Sequence, residues 1–309
     1  KLSDYLVQYL VDSGIKYVFL VIGGACAHIV DSLGKNKKIS YICMQHEQAA
    51  AMAADAYARL AGIGACVVTS GPGATNLITG VACSWFDSIP TIMISGQVNH
   101  WETKGNKKIR QLGFQETDIV EIVKPITKFA VMVTQPGEIK FYLDKAFYLA
   151  KEGRPGPVWL DIPLNIQHAE VNPKELYGFN PQSHQKKDLN LLKKQVGECL
   201  KLVSVAKRPV VLAGFGIRIA AAIPEFKKLV RTLSFPIVST WSGADILPED
   251  HRQYIGRIGV YGTKSANFAI QNSDLLLSIG SRLDTRQTGG QPQTFARAAK
   301  KIVVDIDIE

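Results

Sequence analysis

"GACVVTSGPGATN", residues 64–76, holds the reading that decides the fold. Gly64 to Val68 are small or β-branched and show no polar alternation, as expected of a strand covered on both faces of a parallel sheet. Gly71 and Gly73 permit positive φ and close backbone approach, and Pro72 stiffens the turn between them. Thr75 or Asn76 can bond nearby backbone groups where a helix begins. Exposed N–H groups at such a start suit negative or polar ligand atoms. No Gly-Lys-Ser/Thr follows, so this is not a Walker loop. A plain strand-to-helix turn is the alternative reading.

The same pattern repeats outward from this stretch. "KYVFLVI" precedes Gly23 and Gly24, and "ISYICM" precedes a helix from about Glu47 to Leu60. "PTIMISG" follows Pro90, and "GPVWLDIP" is a further apolar run. Such runs, read as strands buried on both faces and alternating with helices, predict right-handed βαβ units. From His168 to Asp188 the chain turns to Pro, Asn, Gln and Lys without apolar period, and reads as a linker. The pattern then restarts in "KRPVVLAGFGI", "FPIVST", "DLLLSIGSR" and "KIVVDIDIE". The expectation is an α/β protein of two doubly wound parallel-sheet domains, 1–168 and 189–309, joined by a linker at 169–188. The chain begins on Lys1 without methionine and ends on an apolar run that should lead onward, so a fragment of a longer protein is expected.

Composition narrows the function classes. No apolar run approaches the roughly 18 residues of a membrane span, and the first residues lack a signal-peptide pattern. The net charge of +9 comes largely from short, separated lysine groups, such as Lys35, Lys37 and Lys38, without interleaved aromatics. That argues against a nucleic-acid groove and for solvated faces, with some attraction of anionic substrates. Five cysteines without zinc or disulfide spacing read as reduced core residues of a cytoplasmic protein.

Other candidate motifs carry less. The Gly214-x-Gly216 after "RPVVL" is a weak dinucleotide signal, because the third glycine and a distal acid are missing. Arg282 and Arg286, in "GSRLDTRQTGG", suit a phosphate or an adenine edge, or pairing with Asp284. The histidines lack metal spacing, and no metal ligands are proposed in this chain. Glu47 stands out: it is a carboxylate among apolar neighbours at a strand-to-helix junction. The alternative for Glu47 is an acid favoured by the helix dipole.

"HEQAAAMAADAYARLAG", "TSGPGATN", "DSIPTIMISGQV", "GFQETDI" and "GRPGPVWLDIP" occur in order. With "GVYGTKSAN", "SDLLLSIGSRLDTRQTGG" and "VVDIDIE" they resemble the amino-terminal and central domains of thiamine-diphosphate enzymes of the acetohydroxyacid (acetolactate) synthase large-subunit type. The resemblance covers nearly the whole chain and implies an aminopyrimidine-binding domain followed by a Rossmann-like domain. It makes Glu47 the carboxyl that bonds a ring nitrogen of the cofactor's aminopyrimidine. The exocyclic nitrogen then removes the thiazolium proton, giving a carbon nucleophile that attacks a 2-oxo acid. Gly23, Gly24 and Ala25 are implied to line the reacting centre, and Gly71, Gly73 and Asn76 to pack beside the cofactor. Phe114 and Gln115 form an active-site wall, where Gln115 is a second catalytic candidate and Gln97 a similar amide. Gly214, Gly216, Arg282, Asp284 and Arg286 match positions around FAD.

The implied activity is decarboxylation of a 2-oxo acid, pyruvate first, with transfer of the two-carbon unit to a second carbonyl in branched-chain amino acid biosynthesis. A homodimer or homotetramer sharing the cofactor site, and a regulatory small subunit, follow from the same resemblance. The family's Gly-Asp-Gly domain, which holds Mg2+ and the diphosphate, is absent from this chain, so the chain alone is expected to be nearly inactive. Several positions depart from the family pattern: Ile22 and Ala27-His28 replace prolines, Tyr261 replaces a histidine near the flavin, and Leu164-Asn165-Ile166 replaces Lys-Asp-Val. These fit a side branch. The alternatives are another thiamine decarboxylase, a diketone hydrolase, an acyl transferase to a nucleotide sugar, or an inactive nucleotide-binding scaffold.

Overall fold

The computed structural model describes residues 1–181 and 188–307. The chain divides into two compact units, residues 1–183 and 184–309. Each is a parallel sheet with helices between its strands, the two doubly wound α/β domains that the pattern predicts.

Unit 1 has β1 (Tyr17–Leu20), β2 (Ser40–Cys43), β3 (Gly64–Val68), β4 (Thr91–Gln97), β5 (Phe129–Met132) and β6 (Val158–Pro163). Their order across the sheet is β2-β1-β3-β4-β6-β5, with every pairing parallel. Helices α1 (Leu2–Asp12) and α2 (Ala27–Lys35) precede and follow β1, and α3 (Glu47–Ala61) follows β2. A short α4 (Pro72–Thr75) and then α5 (Ile78–Asp87) follow β3. β3, β4 and β6 are buried along their whole length. Two cores flank the sheet. Leu6, Leu10, Ile92, Leu143 and Leu160 belong to one, and Ala51, Ala54, Cys66, Met93 and Trp159 to the other. The alanines of α3 let it lie close to its neighbours: a Cβ on Gly80 of α5 would collide with Ala51, and one on Gly64 with the backbone of Ala54.

Three expectations need correction. "ISYICM" reads as a doubly covered strand, but β2 is an edge strand and all four of its residues are exposed. Its apolar residues mark a strand paired on one side only. Of the five cysteines, all free, Cys26 and Cys66 are buried, Cys83 and Cys199 are half-buried, and Cys43 is exposed on that same edge. Part of the stretch read as a linker also lies against unit 1. Val171 and Leu176 pack on its core, and the rings of Tyr177 and Phe179 meet Phe141 of the helix Ile139–Lys151, the first tilted and the second edge-on. Residues 182–187 of that stretch lie outside the described residues.

Unit 2 has β7 (Pro209–Ala213), β8 (Ile237–Ser239), β9 (Tyr254–Arg257), β10 (Leu275–Ile279) and β11 (Lys300–Val304), in the order β11-β10-β7-β8-β9. Val211, Ile237 and Leu277 pack one face of this sheet, and Leu212, Val238 and Leu276 the other. The strand order reverses between β1 and β3 in unit 1, with a further step back from β5 to β6 at its other edge, and between β7 and β10 in unit 2. Ligands of open α/β sheets bind outside the carboxyl ends of the strands at such reversals.

Candidate functional site

In unit 1 the loops at the reversal follow β1 and β3, and the start of α3 follows β2 next to them. Thr69, directly after β3, joins these loops. Its hydroxyl oxygen accepts from the Ala25 N–H at 3.1 Å. Its side chain fills the space that a Cβ on Gly23 would occupy, and lies 2.6 Å from where a Cβ on Gly73 would stand. Glycine is therefore required at both positions by close packing. At Gly24 an added Cβ would meet nothing within 4 Å, so space does not hold glycine there.

Glu47 is the first residue of α3. His46 caps that helix, its Nδ1 accepting from the Gln48 N–H at 3.1 Å. A carboxylate in the first turn also suits the helix dipole. Glu47 is half-buried, and the amide of Asn76 donates to its Oε2 at 2.9 Å. Asn76 ends α4, so the glycine loop and the β2–α3 junction meet at one hydrogen bond. The other oxygen, Oε1, has no hydrogen bond among the described residues, and lies 3.4 Å from where a Cβ on Gly73 would stand. A side chain at 73 would crowd that oxygen, whereas glycine leaves it approachable. Burial pushes the thiol of Cys66 on β3 upward, and the nearby Glu47 carboxylate adds to the shift.

Gly71 has φ +60, and its missing Cβ would stand 2.6 Å from the carbonyl oxygen of Gln115. Gln115 itself has φ 60, a left-handed conformation that costs a non-glycine residue on the order of 1–3 kcal/mol. Phe114 beside it is 84 % exposed. The structure thus links Gly23, Ala25, Glu47, Gly71, Gly73, Asn76 and Gln115 by direct contacts or through Thr69. Gln97 differs from the expectation of a ligand-facing amide: it is 2 % exposed and its contacts are internal.

Four residues around this site carry no local signal in the sequence. Thr69 is visible in "TSGPGATN", but its role depends on the β1 loop 44 residues away. Gln167 is buried and donates to the carbonyls of Ala25 and Ile162 at 2.6 and 2.7 Å. The Glu116 carboxylate accepts from the N–H groups of Lys104 and Leu112 at 2.6 and 2.9 Å, tying down the outer side of the Gln115 loop. Asp161 of β6 is 1 % exposed, and burial pushes its carboxyl up to about 7, against the lowering effect of hydrogen bonds from Ser95 and Gln97.

In unit 2, Gly214 and Gly216 follow β7 and pack on Gly280 after β10; a Cβ on Gly216 would stand 2.7 Å from the Gly280 Cα. Asp284 caps the turn Thr285–Thr288, accepting from the Arg286 and Gln287 N–H groups at 2.8 and 3.3 Å. Arg282 Nε lies 3.8 Å from the same carboxylate, a long ion pair of the kind the sequence offered as the alternative to a ligand contact. Arg286 is exposed. Tyr261 is exposed and stacks on Trp241, ring centres 4.9 Å apart. Among the described residues no group of three or more His, Cys, Asp or Glu is placed to hold a metal ion. No described helix is long and apolar enough to cross a membrane.

A carboxylate at a helix start, one oxygen held by an amide and the other left open beside glycine, suits a hydrogen bond to a ring nitrogen. Comparison with known proteins gives the family. Residues 1–122 match the thiamine pyrophosphate enzyme N-terminal TPP binding domain, and residues 196–309 match the central domain of the same enzymes. The chain belongs to the thiamine pyrophosphate enzymes.

Among its relatives is the acetolactate synthase large subunit of Corynebacterium glutamicum, 40% identical over 98% of this chain and 47% of the relative. The acetolactate synthase large subunit of Haemophilus influenzae is 38% identical over 99% of this chain and 52% of its own length. Acetolactate synthase isozyme 3 large subunit of Escherichia coli is 37% identical with the same coverages. The chain spans about half the length of the curated relatives it matches.

Proposed function

We propose that this chain forms the amino-terminal and central domains of a thiamine-diphosphate-dependent, acetolactate synthase-like enzyme. It would decarboxylate a 2-oxo acid, pyruvate first, and pass the two-carbon unit to a second carbonyl. The observation that carries this reading is Glu47: Oε2 takes the Asn76 amide while Oε1 faces the open side of Gly73. When bound, thiamine diphosphate supplies the carbon nucleophile and takes up the electrons released as carbon dioxide leaves.

The residues of this chain orient and protonate. Asn76 fixes the rotation of the Glu47 carboxyl, so that Oε1 is presented to the aminopyrimidine ring nitrogen and can hold or give a proton there. Thr69 keeps the β1 loop, Gly23 to Ala25, in place at the reacting centre. Gln115 lies across Gly71 from the same centre, positioned to bond substrate or cofactor.

Mg2+ and the diphosphate would be held by the further domain that the family carries. The crevice of unit 2, with Gly214, Gly216 and the arginines at 282 and 286, supports a nucleotide-bearing cofactor, for which FAD is the reading. An enzyme of this kind would work as a homodimer or homotetramer in the cytoplasm, with branched-chain amino acid biosynthesis as its setting. The relatives are named large subunits, which supports a regulatory small subunit.

The test is Glu47→Gln in the full-length polypeptide, supplied with thiamine diphosphate, magnesium and pyruvate. Loss of turnover by about a hundredfold or more is expected, the size typical of a lost proton-transfer group. Unchanged turnover would rule the reading out. The absorbance spectrum of the purified protein tests for flavin.

A further inference from the structure

We propose that Gln97, oriented by the buried carboxyl of Asp161, is a positioning residue that clamps the Thr117 carbonyl and so fixes Gln115 against Gly71, beside Glu47. The proposal rests on the reading of the unit 1 site as a thiamine-diphosphate site.

Gln97 is the last residue of β4, and its amide is used entirely within the fold. Nε2 donates to the Thr117 carbonyl at 2.9 Å and to Asp161 Oδ2 at 3.0 Å, while Oε1 accepts from the Val98 N–H at 3.1 Å. Both amide hydrogens are committed, so none remains for a ligand. Asp161 cannot rotate away from this contact, because its Oδ1 accepts from the Ser95 hydroxyl at 2.5 Å. Ser95 in turn accepts from the indole N–H of the fully buried Trp159 at 2.8 Å. A carboxyl removed from water in this way is retained only when both oxygens are bonded, as here.

This cluster reaches the Gln115 segment through Thr117. Thr117 is two residues beyond Gln115, and Gln115 holds the left-handed φ of 60 that a non-glycine residue keeps only where its surroundings enforce it. One side of the enforcement is Gly71, whose backbone takes the space next to the Gln115 carbonyl. The outer side is Glu116, through Lys104 and Leu112. Gln97 supplies the inner anchor, from a rigid central strand. Without it the segment 113–117 keeps its surface ties but loses the fixed point that sets its depth. An error of about 1 Å in a catalytic group can cost on the order of a hundredfold in rate.

The experiment uses the full-length polypeptide with thiamine diphosphate, magnesium and pyruvate, and reads both amide hydrogen exchange in residues 113–118 and kcat. Gln97→Met keeps the volume and removes the clamp. It should speed exchange in that segment about tenfold, leave β3 and β4 protected, and lower kcat about tenfold. Asp161→Leu should act in the same direction, and Asp161→Asn, which can still accept from Gln97, should recover most of both losses. Adding Gln115→Ala to Gln97→Met should lower kcat no further than Gln115→Ala alone.

Wild-type exchange in Gln97→Met would overturn the proposal, as would losses from Gln97→Met and Gln115→Ala that multiply. Faster exchange with an unaltered kcat, in both Gln97→Met and Gln115→Ala, would support the clamp and count against the functional reading instead.

Discussion

The two units place their crevices at the same topological position and fill them differently. In unit 1 the reversal between β1 and β3 is packed by a side chain, Thr69, and a carboxylate stands beside it. In unit 2 the reversal between β7 and β10 is closed backbone to backbone, Gly214 and Gly216 on Gly280, and Asp284 is spent on capping its own turn. The first arrangement offers a group that can hold a proton; the second offers exposed arginine, its glycine N–H groups being bonded within the fold. The topology selects where a ligand sits, and the loop residues select what can be done to it.

Substitutions can break this contrast. The largest effects should come from a methyl group forced into backbone. Gly96→Ala would drive a Cβ into the Ala25 carbonyl in unit 1, and Gly214→Ala into the Gly280 carbonyl in unit 2. Each should destabilise its own unit by about 3 kcal/mol, read by urea unfolding. Equal tolerance of both would mean that neither crevice is close-packed.

Next in size is the pH dependence contributed by Asp161. Its carboxyl is raised in the fold to about 7, so the folded state holds the proton more tightly than the unfolded chain. The stability this contributes is complete below the ordinary carboxylate range, near pH 4, and is lost as pH rises through about 7. Asp161→Asn removes the titration. Urea unfolding at pH 5 and pH 8 should therefore show wild type losing stability relative to the variant as pH rises. Parallel curves would count against a buried, raised carboxyl.

Thr69→Val keeps the packing against Gly23 and Gly73 but removes the acceptor for the Ala25 N–H. A loss of about 1 kcal/mol is expected by thermal unfolding, the usual value of one hydrogen bond. The smallest effect is expected in unit 2. Arg286→Ala, at an exposed residue, should change stability by less than about 0.5 kcal/mol. A fall in flavin or nucleotide affinity in that variant would sharpen the contrast by giving the second crevice a ligand of its own.

What can be read in the sequence follows burial. The central strands β1, β3, β4, β6, β7 and β10 stand out as apolar runs because a parallel sheet covers them on both faces. β5, Phe129–Met132, is as apolar as the central strands although it is a half-buried edge strand, whereas β9, Tyr254–Arg257, gives no such run and is not legible. β2 has the run without the burial. At the site, Glu47, Gly71, Gly73 and Asn76 are legible because strand, glycine loop and helix start are neighbours in sequence. Asp161, Gln167 and Glu116 are not. Asp161 meets Ser95 and Gln97 across 66 and 64 residues, and Gln167 meets Ala25 across 142, so their roles exist only once the sheet has formed.

The rim position of β2 makes strand alignment a determinant of where Glu47 stands. Its pairing runs from Tyr17 opposite Ser40 to Leu20 opposite Cys43, and no residue of β2 is buried to enforce that match. Main-chain bonds at its two ends do so instead, Ser40 N–H to Lys16 and Met44 N–H to Leu20, at 2.9 and 2.8 Å. A slip of one residue would carry Glu47 about 3.3 Å along the strand direction, farther than its bond to Asn76 can stretch. Folding fidelity at an unburied margin thus governs whether the acid meets its partner.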